Sequence, residues 1–181
     1  TIQVNSNVDE LIKNYTLKID KIQPAVKVAI DRTGRKTATK ARGYVSSEIG
    51  VTKKKASVRV KTIESTIDEL TFDIKGRTKP FSIKSLKSKP RKTKRGISYK
   101  LKSKTIKIFG GFGARVNSGK QYFKREGKKR LPIEGLKTLS ARDVLRGDKW
   151  QSIAKRFVKD EIKVQIKKQF EAKKITTLDR T

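Results

Sequence analysis

The stretch Gly96-Ile-Ser-Tyr-Lys-Leu101, followed closely by Lys104-Thr-Ile-Lys-Ile-Phe-Gly-Gly-Phe-Gly113, alternates apolar and polar residues. Successive side chains of a strand point to opposite faces, so this period of two predicts half-buried β-strands. Similar patterns predict further strands at Leu70–Ile74, Phe81–Ile83, Tyr122–Phe123 and Leu131–Ile133. The centre of the chain is therefore expected to form an antiparallel sheet.

Helical patterns precede this central region. Apolar residues recur at i, i+3 and i+4 from Val8 to Ile49, which predicts one long amphipathic helix. Pro24 lies inside the pattern and is expected to kink or restart the helix, because proline lacks a backbone donor. Gly50 is the predicted stop. Thr52 is the predicted N-cap of a short second helix.

A second long helical pattern closes the chain. Apolar side chains from Trp150 to Phe170 share one face, and lysines occupy the other faces. We expect this helix to pack on the sheet, with lysine stems extending outward. The order of elements predicts an α+β fold: a long N-terminal helix, an antiparallel β-sheet with a basic extended loop, and a C-terminal amphipathic helix. We interpret residues 1–181 as a single domain.

The composition narrows the classes of function. The chain of 181 residues has no Cys and no His, which excludes disulfides, thiolate metal sites and Ser–His or Cys–His catalysis. Asp73-Ile-Lys75 and Glu161-Ile-Lys163 match a spacing of some metal-dependent nucleases, but that chemistry needs a second carboxylate on the same ion. We expect no enzyme, no cofactor and no metal. The apolar stretches are too short for a membrane span, so no membrane partner is expected.

Positive charge is concentrated in one part of the chain. Lys and Arg number 48 against 17 Asp and Glu, a net charge of +31. Residues 74–125 hold 18 of the basic side chains and no carboxylate. Most protein surfaces intersperse both signs, so a segment without acids is expected to face a polyanion or an acidic protein.

The densest part of this segment, Lys84–Arg95, has Leu86 as its only large apolar residue. It cannot bury enough surface to offset its ordering entropy, so we interpret residues 84–104 as a basic loop or extended arm. The alternative is a solvated charge run without a partner. The candidate contacts to nucleic acid or an acidic partner are Lys84, Lys87, Lys89, Arg91, Lys92, Lys94, Arg95, Lys100, Lys102 and Lys104.

A hairpin is predicted around the turn at residues 126–129. It carries the pattern Phe-x-Arg-x-Gly-x-x-Arg-x-Pro-Ile, with Phe123, Arg125, Gly127, Arg130, Pro132 and Ile133 at the named positions. This pattern resembles the bacteriophage minor tail protein Z family of tail completion proteins. Other parts follow the family's order over residues 20–172, among them the helix phrase ending Ala29-Ile-Asp-Arg32. Asp31 stands where the resemblance leads us to expect Asn.

The resemblance implies a structural virion protein at the head-proximal end of a phage tail. It implies a ring of copies of the chain, homohexameric if it matches the tube, in contact with tail tube or terminator and neck proteins. The tape-measure protein is a further candidate partner. The expected location is the virion, after assembly in the host cytoplasm. Duplex DNA passing the neck would meet the basic residues through its phosphates.

The other class left open is a cellular protein that binds nucleic acid without reading sequence, of the ribosomal or nucleoid type. Its composition would look the same. The hairpin pattern disfavours it, and so does the lack of base-stacking aromatic residues within Lys84–Arg95.

Overall fold

The first helix is a single element of 45 residues. The computed structural model describes residues 5–66, 70–102, 104–116, 119–125, 127 and 133–172, with side chains from Ile22 onward. Helix α1 spans Asn5–Ile49 and continues through Pro24 without a restart. It ends where predicted, and the backbone N–H groups of Gly50 and Val51 both donate to the Ser46 carbonyl.

The remaining elements confirm the α+β class. Three further helices are α2 (Lys53–Arg59), α3 (Ala141–Arg146) and α4 (Asp148–Ala172). Thr52 caps α2 as predicted. Ser140 and Asp143 form a capping box at the start of α3. The described strands are β1 (Val60–Ile63), β2 (Asp73–Gly76), β3 (Arg91–Thr93), β4 (Gly96–Leu101), β5 (Lys104–Phe109), β6 (Gly111–Val116), β7 (Gly119–Arg125) and β8 (Ile133–Gly135).

The contacts divide the chain into two compact units. Unit 1 comprises Thr1–Thr37, Thr62–Ile74 and Ile153–Thr181, and unit 2 comprises Ala38–Lys61 and Lys75–Ser152. Both α1 and α4 contribute residues to both units.

Unit 1 has a partly polar interior. Helix α4 buries Gln165 and Gln169 here, and α1 buries Asp31 together with Ala25 and Ala29. Lys36 Nζ of α1 lies 2.5 Å from Glu161 Oε1 of α4. Buried polar groups keep their hydrogen bonds in folded proteins, so this interior depends on specific pairs rather than on apolar area alone.

Unit 2 contains the described sheets β3-β4-β5 and β6-β7-β8, in which neighbouring strands are antiparallel. The ladder between β4 and β5 pairs Gly96 with Phe109 and Leu101 with Lys104. Buried apolar side chains from α1 to α4 form the core of this unit: Val45, Ile49, Val51, Phe81, Ile83, Leu86, Ile97, Tyr99, Leu145 and Trp150.

Three local predictions were wrong. The expected strand at Phe81–Ile83 is an isolated bridge from Ser82 to Lys137 followed by a 3₁₀ turn, Ile83–Ser85. The strand expected at Leu70–Ile74 begins only at Asp73. Residues 84–104 are not a loop or arm throughout, because β3 and β4 lie within them. Leu86, Pro90, Ile97 and Tyr99 are buried and anchor this segment to the unit.

The apolar face of α4 is less buried than the sequence pattern predicted. Phe157 and Phe170 are half-buried, and they belong to unit 1, whereas β3–β8 belong to unit 2. Ile153 and Val158 are exposed although the apolar pattern placed them on the buried face. Only Trp150, near the start of α4, is buried in unit 2, where its ring lies 5.2 Å from that of Tyr44.

Candidate nucleic-acid interface

Unit 2 carries almost all of the net charge. It contains 32 of the 48 basic side chains and 5 of the 17 acidic ones, a net charge of +27. Unit 1 contains 16 basic and 12 acidic side chains, a net charge of +4. The folded chain therefore presents one strongly basic unit and one nearly balanced unit.

The ten predicted contact residues are all exposed and all lie in unit 2. The structure separates most of them into two groups along β3 and β4. Lys89, Arg91 and Lys100 line a groove of about 250 Å³. Lys92, Lys94 and Arg95 line a larger groove of about 430 Å³, which we call the central groove.

The central groove also contains residues that were not predicted from the sequence. Lys120 and Tyr122 of β7 and Phe112 of β6 line it together with the turn at Lys94–Arg95. Strand pairing brings Lys120 opposite Arg115, and Tyr122 opposite Gly113. The alternation of β7 in sequence is the signal that could have placed Lys120 and Tyr122 on one face.

Two glycines beside this groove allow a close backbone approach and a tight turn. A Cβ on Gly96 would lie 2.0 Å from the Ile108 carbonyl oxygen, so any larger residue would force β4 and β5 apart. Gly110 joins β5 to β6 with φ of +68°, a conformation that favours glycine. Its N–H donates to the Arg95 carbonyl at 3.0 Å, which fixes the β3–β4 turn against this link.

The aromatic side chains of the groove are close to cations. The Tyr122 ring has Lys120 Nζ 5.9 Å from its centroid, and its hydroxyl donates to the Pro90 carbonyl at 3.4 Å. The Phe112 ring packs 6.0 Å from Phe123, with the Arg125 guanidinium 5.5 Å from its centroid. These distances allow cation–π attraction and leave the cation heads near the solvent.

Four predicted contact residues lie elsewhere in unit 2. Lys84 is in the 3₁₀ turn, and Lys87 donates its backbone N–H to the Gly50 carbonyl. Lys102 Nζ lies 2.5 Å from Glu48 Oε1 of α1. This hydrogen bond raises the pKa of Lys102. Lys102 therefore has a structural partner within the chain. Lys104, the tenth predicted residue, begins β5.

The hairpin of the phage-tail pattern is present between β7 and β8. Phe123 pairs with Gly135, and Arg125 pairs with Ile133. Phe123 is half-buried, and Ile133 is 41% exposed. Gly127 is exposed, and Arg130 and Pro132 lie outside the described residues.

Comparison with known proteins adds no relative. No protein-family model matches the chain, and neither a curated protein nor a solved structure matches it. None of the helices in the described part of the chain is long and apolar enough to cross a membrane.

Within the described residues no group of three or more His, Cys, Asp or Glu side chains is placed to hold a metal ion. Glu161, from one of the two nuclease-like patterns, instead accepts hydrogen bonds from Lys36 and Gln165. These two bonds lower the pKa of Glu161.

Proposed function

We propose that this chain is a structural virion protein that completes the head-proximal end of a phage tail, with the basic face of unit 2 toward DNA. The observation that carries the proposal is the concentration of charge: a net +27 in one unit against +4 in the other. The hairpin pattern from Phe123 to Ile133 supports the assignment to a tail.

The positive charge indicates what such a ring would need in order to assemble. Copies that each carry +31 repel one another unless a polyanion or an acidic neighbour lies between them. Duplex DNA in the neck supplies that charge, and Lys and Arg bind its phosphates without reading its sequence. Unit 1 is nearly balanced in charge, so it needs no polyanion or acidic neighbour to offset repulsion. It therefore suits contacts with tail tube, terminator or neck proteins.

A second candidate function is a cellular nucleic-acid-binding protein. The observation that favours it is the aromatic lining of the central groove, because Phe112 and Tyr122 lie beside Lys92 and Lys120. The absence of aromatic residues within Lys84–Arg95 had argued against this class. Strand pairing supplies such residues from β6 and β7 instead.

The experiment that separates the two functions uses the full chain. Native mass spectrometry and negative-stain microscopy measure its oligomeric state, and gold-labelled antibody locates it on particles of a phage or prophage that encodes it. An oligomeric ring and label at the tail's head-proximal end support the tail function. A monomer that binds nucleic acid, with unlabelled particles, would overturn it in favour of the cellular function.

A further inference from the structure

We propose that Phe109 and the basic turn beside it form a site for unpaired nucleotides, where a base stacks on the phenyl ring and the cations bind the flanking phosphates. The proposal rests on the nucleic-acid contact of the proposed function but not on its location in a tail. It adds a preference for single strands, which phosphate contacts alone do not give.

Phe109 is the most exposed of the large apolar side chains in the described residues, at 64%. Several residues near it carry positive charge. A cavity of about 360 Å³ is lined by Phe109 together with Lys94, Arg95 and Lys107, as well as Thr93 and Ile108. Three cations thus surround one accessible aromatic face.

The strand register explains why the phenyl ring is uncovered. Phe109 is the last residue of β5 and pairs with Gly96 of β4, which has no side chain to lie across it. The chain then turns at Gly110. A side chain at position 96 cannot be added, because its Cβ would meet the Ile108 carbonyl oxygen. The exposure of Phe109 therefore follows from the backbone arrangement.

The site is also preorganised. The Gly110 N–H donates to the Arg95 carbonyl, and the β3–β4 ladder pairs Thr93 with Gly96 on the other side of the turn. The Lys94–Arg95 turn is consequently held at the end of β5 before any ligand binds. A ligand that needs little rearrangement of its site loses less ordering entropy on binding.

The chemistry of the site matches one kind of partner. An aromatic face stacks with any base, and Lys and Arg bind phosphates, which is how proteins hold single strands without sequence preference. In a duplex the base faces are already stacked, so Phe109 gains nothing there and only the cations contribute. An acidic protein would use the cations but leave the phenyl ring unmatched. Residues 74–125 contain no carboxylate that would repel a phosphate.

The test compares two probes on the full chain: a single-stranded oligothymidine and a duplex of equal length, both by fluorescence anisotropy at fixed salt. Phe109→Ala is expected to weaken single-strand binding by about 5- to 150-fold, since stacking on an aromatic residue contributes ~1–3 kcal/mol per base. Duplex binding should change by less than about twofold. Phe109→Trp should bind single strands as well as the wild type does, because an indole ring also stacks with bases.

Two control variants make the result specific. Leu139→Ala removes another exposed apolar side chain of unit 2 outside this cavity and should leave both affinities unchanged. The double variant Lys94→Gln, Arg95→Gln should bind both probes more weakly, and its affinities should depend less on salt concentration. A single strand containing 2-aminopurine should lose fluorescence on binding to the wild type but not to Phe109→Ala, because stacking quenches it.

The outcomes separate this proposal from the proposed function. If Phe109→Ala loses the same affinity for both probes, or loses affinity for neither, the nucleotide site is overturned. The proposed contact with duplex DNA is not affected by either result. A change of oligomeric state in Phe109→Ala with unchanged affinities also overturns it, because the phenyl ring then belongs to a contact between copies. Binding of neither probe by the wild type overturns the nucleic-acid part of both proposals, while the particle-labelling experiment still tests the tail location.

Discussion

Asp31 of α1 accepts two hydrogen bonds from Ser65, a residue 34 positions away in the chain. Its Oδ1 lies 3.0 Å from the Ser65 backbone nitrogen and 2.8 Å from the Ser65 hydroxyl. Its other oxygen binds Lys27 Nζ at 2.9 Å. Asp31 is only 6% exposed. This cluster therefore fixes the segment after β1 to the helix in unit 1.

Asp31→Ala is expected to destabilise unit 1 by about 1–3 kcal/mol, because it leaves the buried N–H and hydroxyl of Ser65 without an acceptor. Asp31→Asn, which has the residue that the phage-tail resemblance leads us to expect, keeps an acceptor for Ser65 and should cost less. Urea unfolding at neutral pH measures both. An Asn variant as unstable as the Ala variant would contradict the role given to the Ser65 hydrogen bonds.

Acid should remove the same stabilisation. Burial alone would raise the pKa of Asp31, but the hydrogen bonds from Lys27 and Ser65 outweigh it and hold the pKa below the ordinary value of 3.8. A group whose pKa is lower in the folded state stabilises the fold above its unfolded value and loses this contribution as the pH falls through the folded one. The stability difference between wild type and Asp31→Asn should therefore narrow as the pH is lowered below about 4. A constant difference would exclude the charged form of Asp31 as its source.

The position of positive charge, rather than its amount, should decide DNA binding. A variant with Lys89, Arg91, Lys92, Lys94 and Arg95 changed to Ser, Gln or Asn loses five exposed charges around β3. Its control loses five exposed charges of α4 in unit 1: Lys155, Arg156, Lys159, Lys163 and Lys168. Duplex affinity against salt concentration is measured for both. The slope of the β3 variant should fall by up to about 0.9 for each lost phosphate contact, while the α4 variant keeps the wild-type slope.

Equal effects of the two variants would mean that the chain binds DNA through its overall charge. Both variants should remain folded, because exposed substitutions of this kind usually change stability by less than ~0.5 kcal/mol each. In a phage that depends on this chain, the β3 variant should still be incorporated into tails but reduce infectivity. Lost incorporation would instead assign these residues to an acidic neighbour in the tail.

Two glycines of α1 should respond oppositely to the same substitution. A Cβ at Gly34 would lie 2.2 Å from the Phe72 ring, so Gly34→Ala should destabilise the chain by about 1–3 kcal/mol through overpacking. At Gly43 nothing lies within 4 Å, so Gly43→Ala should stabilise it by about 0.5–1 kcal/mol through helix propensity. Thermal melts followed by circular dichroism measure both. Adding Phe72→Ala should relieve part of the Gly34→Ala penalty, and two equal responses would refute the close approach of Phe72.

Removing Trp150 of unit 2 should destabilise the chain more than removing Phe157 of unit 1. It is 6% exposed and lies beside Tyr44, so Trp150→Ala should cost about 3–5 kcal/mol, and Trp150→Phe much less. Phe157→Ala should cost less than Trp150→Ala, because Phe157 is only half-buried. Equilibrium unfolding in urea gives all three values. A Phe157→Ala penalty above that of Trp150→Ala would contradict this order.

Local periodicity was enough to predict the elements that alternate or repeat strongly. Helix α1, strands β4 and β5, and helix α4 follow from apolar residues at regular spacing. The cap at Thr52 follows from the preference of threonine for the N-cap position. Strand β3 could not be predicted this way, because Arg91, Lys92 and Thr93 are all exposed and carry no apolar signal. They are in a strand because the ladder with Gly96–Ser98 holds them there.

The candidate site was predicted only in part for a similar reason. Lys92, Lys94 and Arg95 were selected because they lie in a basic run. Phe109, Lys120 and Tyr122 reach the same region through strand pairing and through the turn at Gly110, and single-sequence patterns do not contain that information. The division of α1 and α4 between two units could not be predicted either, because the apolar pattern of each helix is continuous.

That division has a consequence for the order in which the chain folds during synthesis. Every residue of unit 2 has been translated once the ribosome passes Ser152, whereas unit 1 still lacks Ile153–Thr181. Units of a protein generally fold as they emerge, so the basic unit can complete its sheets first. The residues of α1 that meet α4, such as Lys36 with Glu161, must wait for the last segment. A nascent chain stalled once Ser152 has left the ribosome should accordingly protect unit 2 from proteolysis, while the segments of unit 1 already made stay open to cleavage.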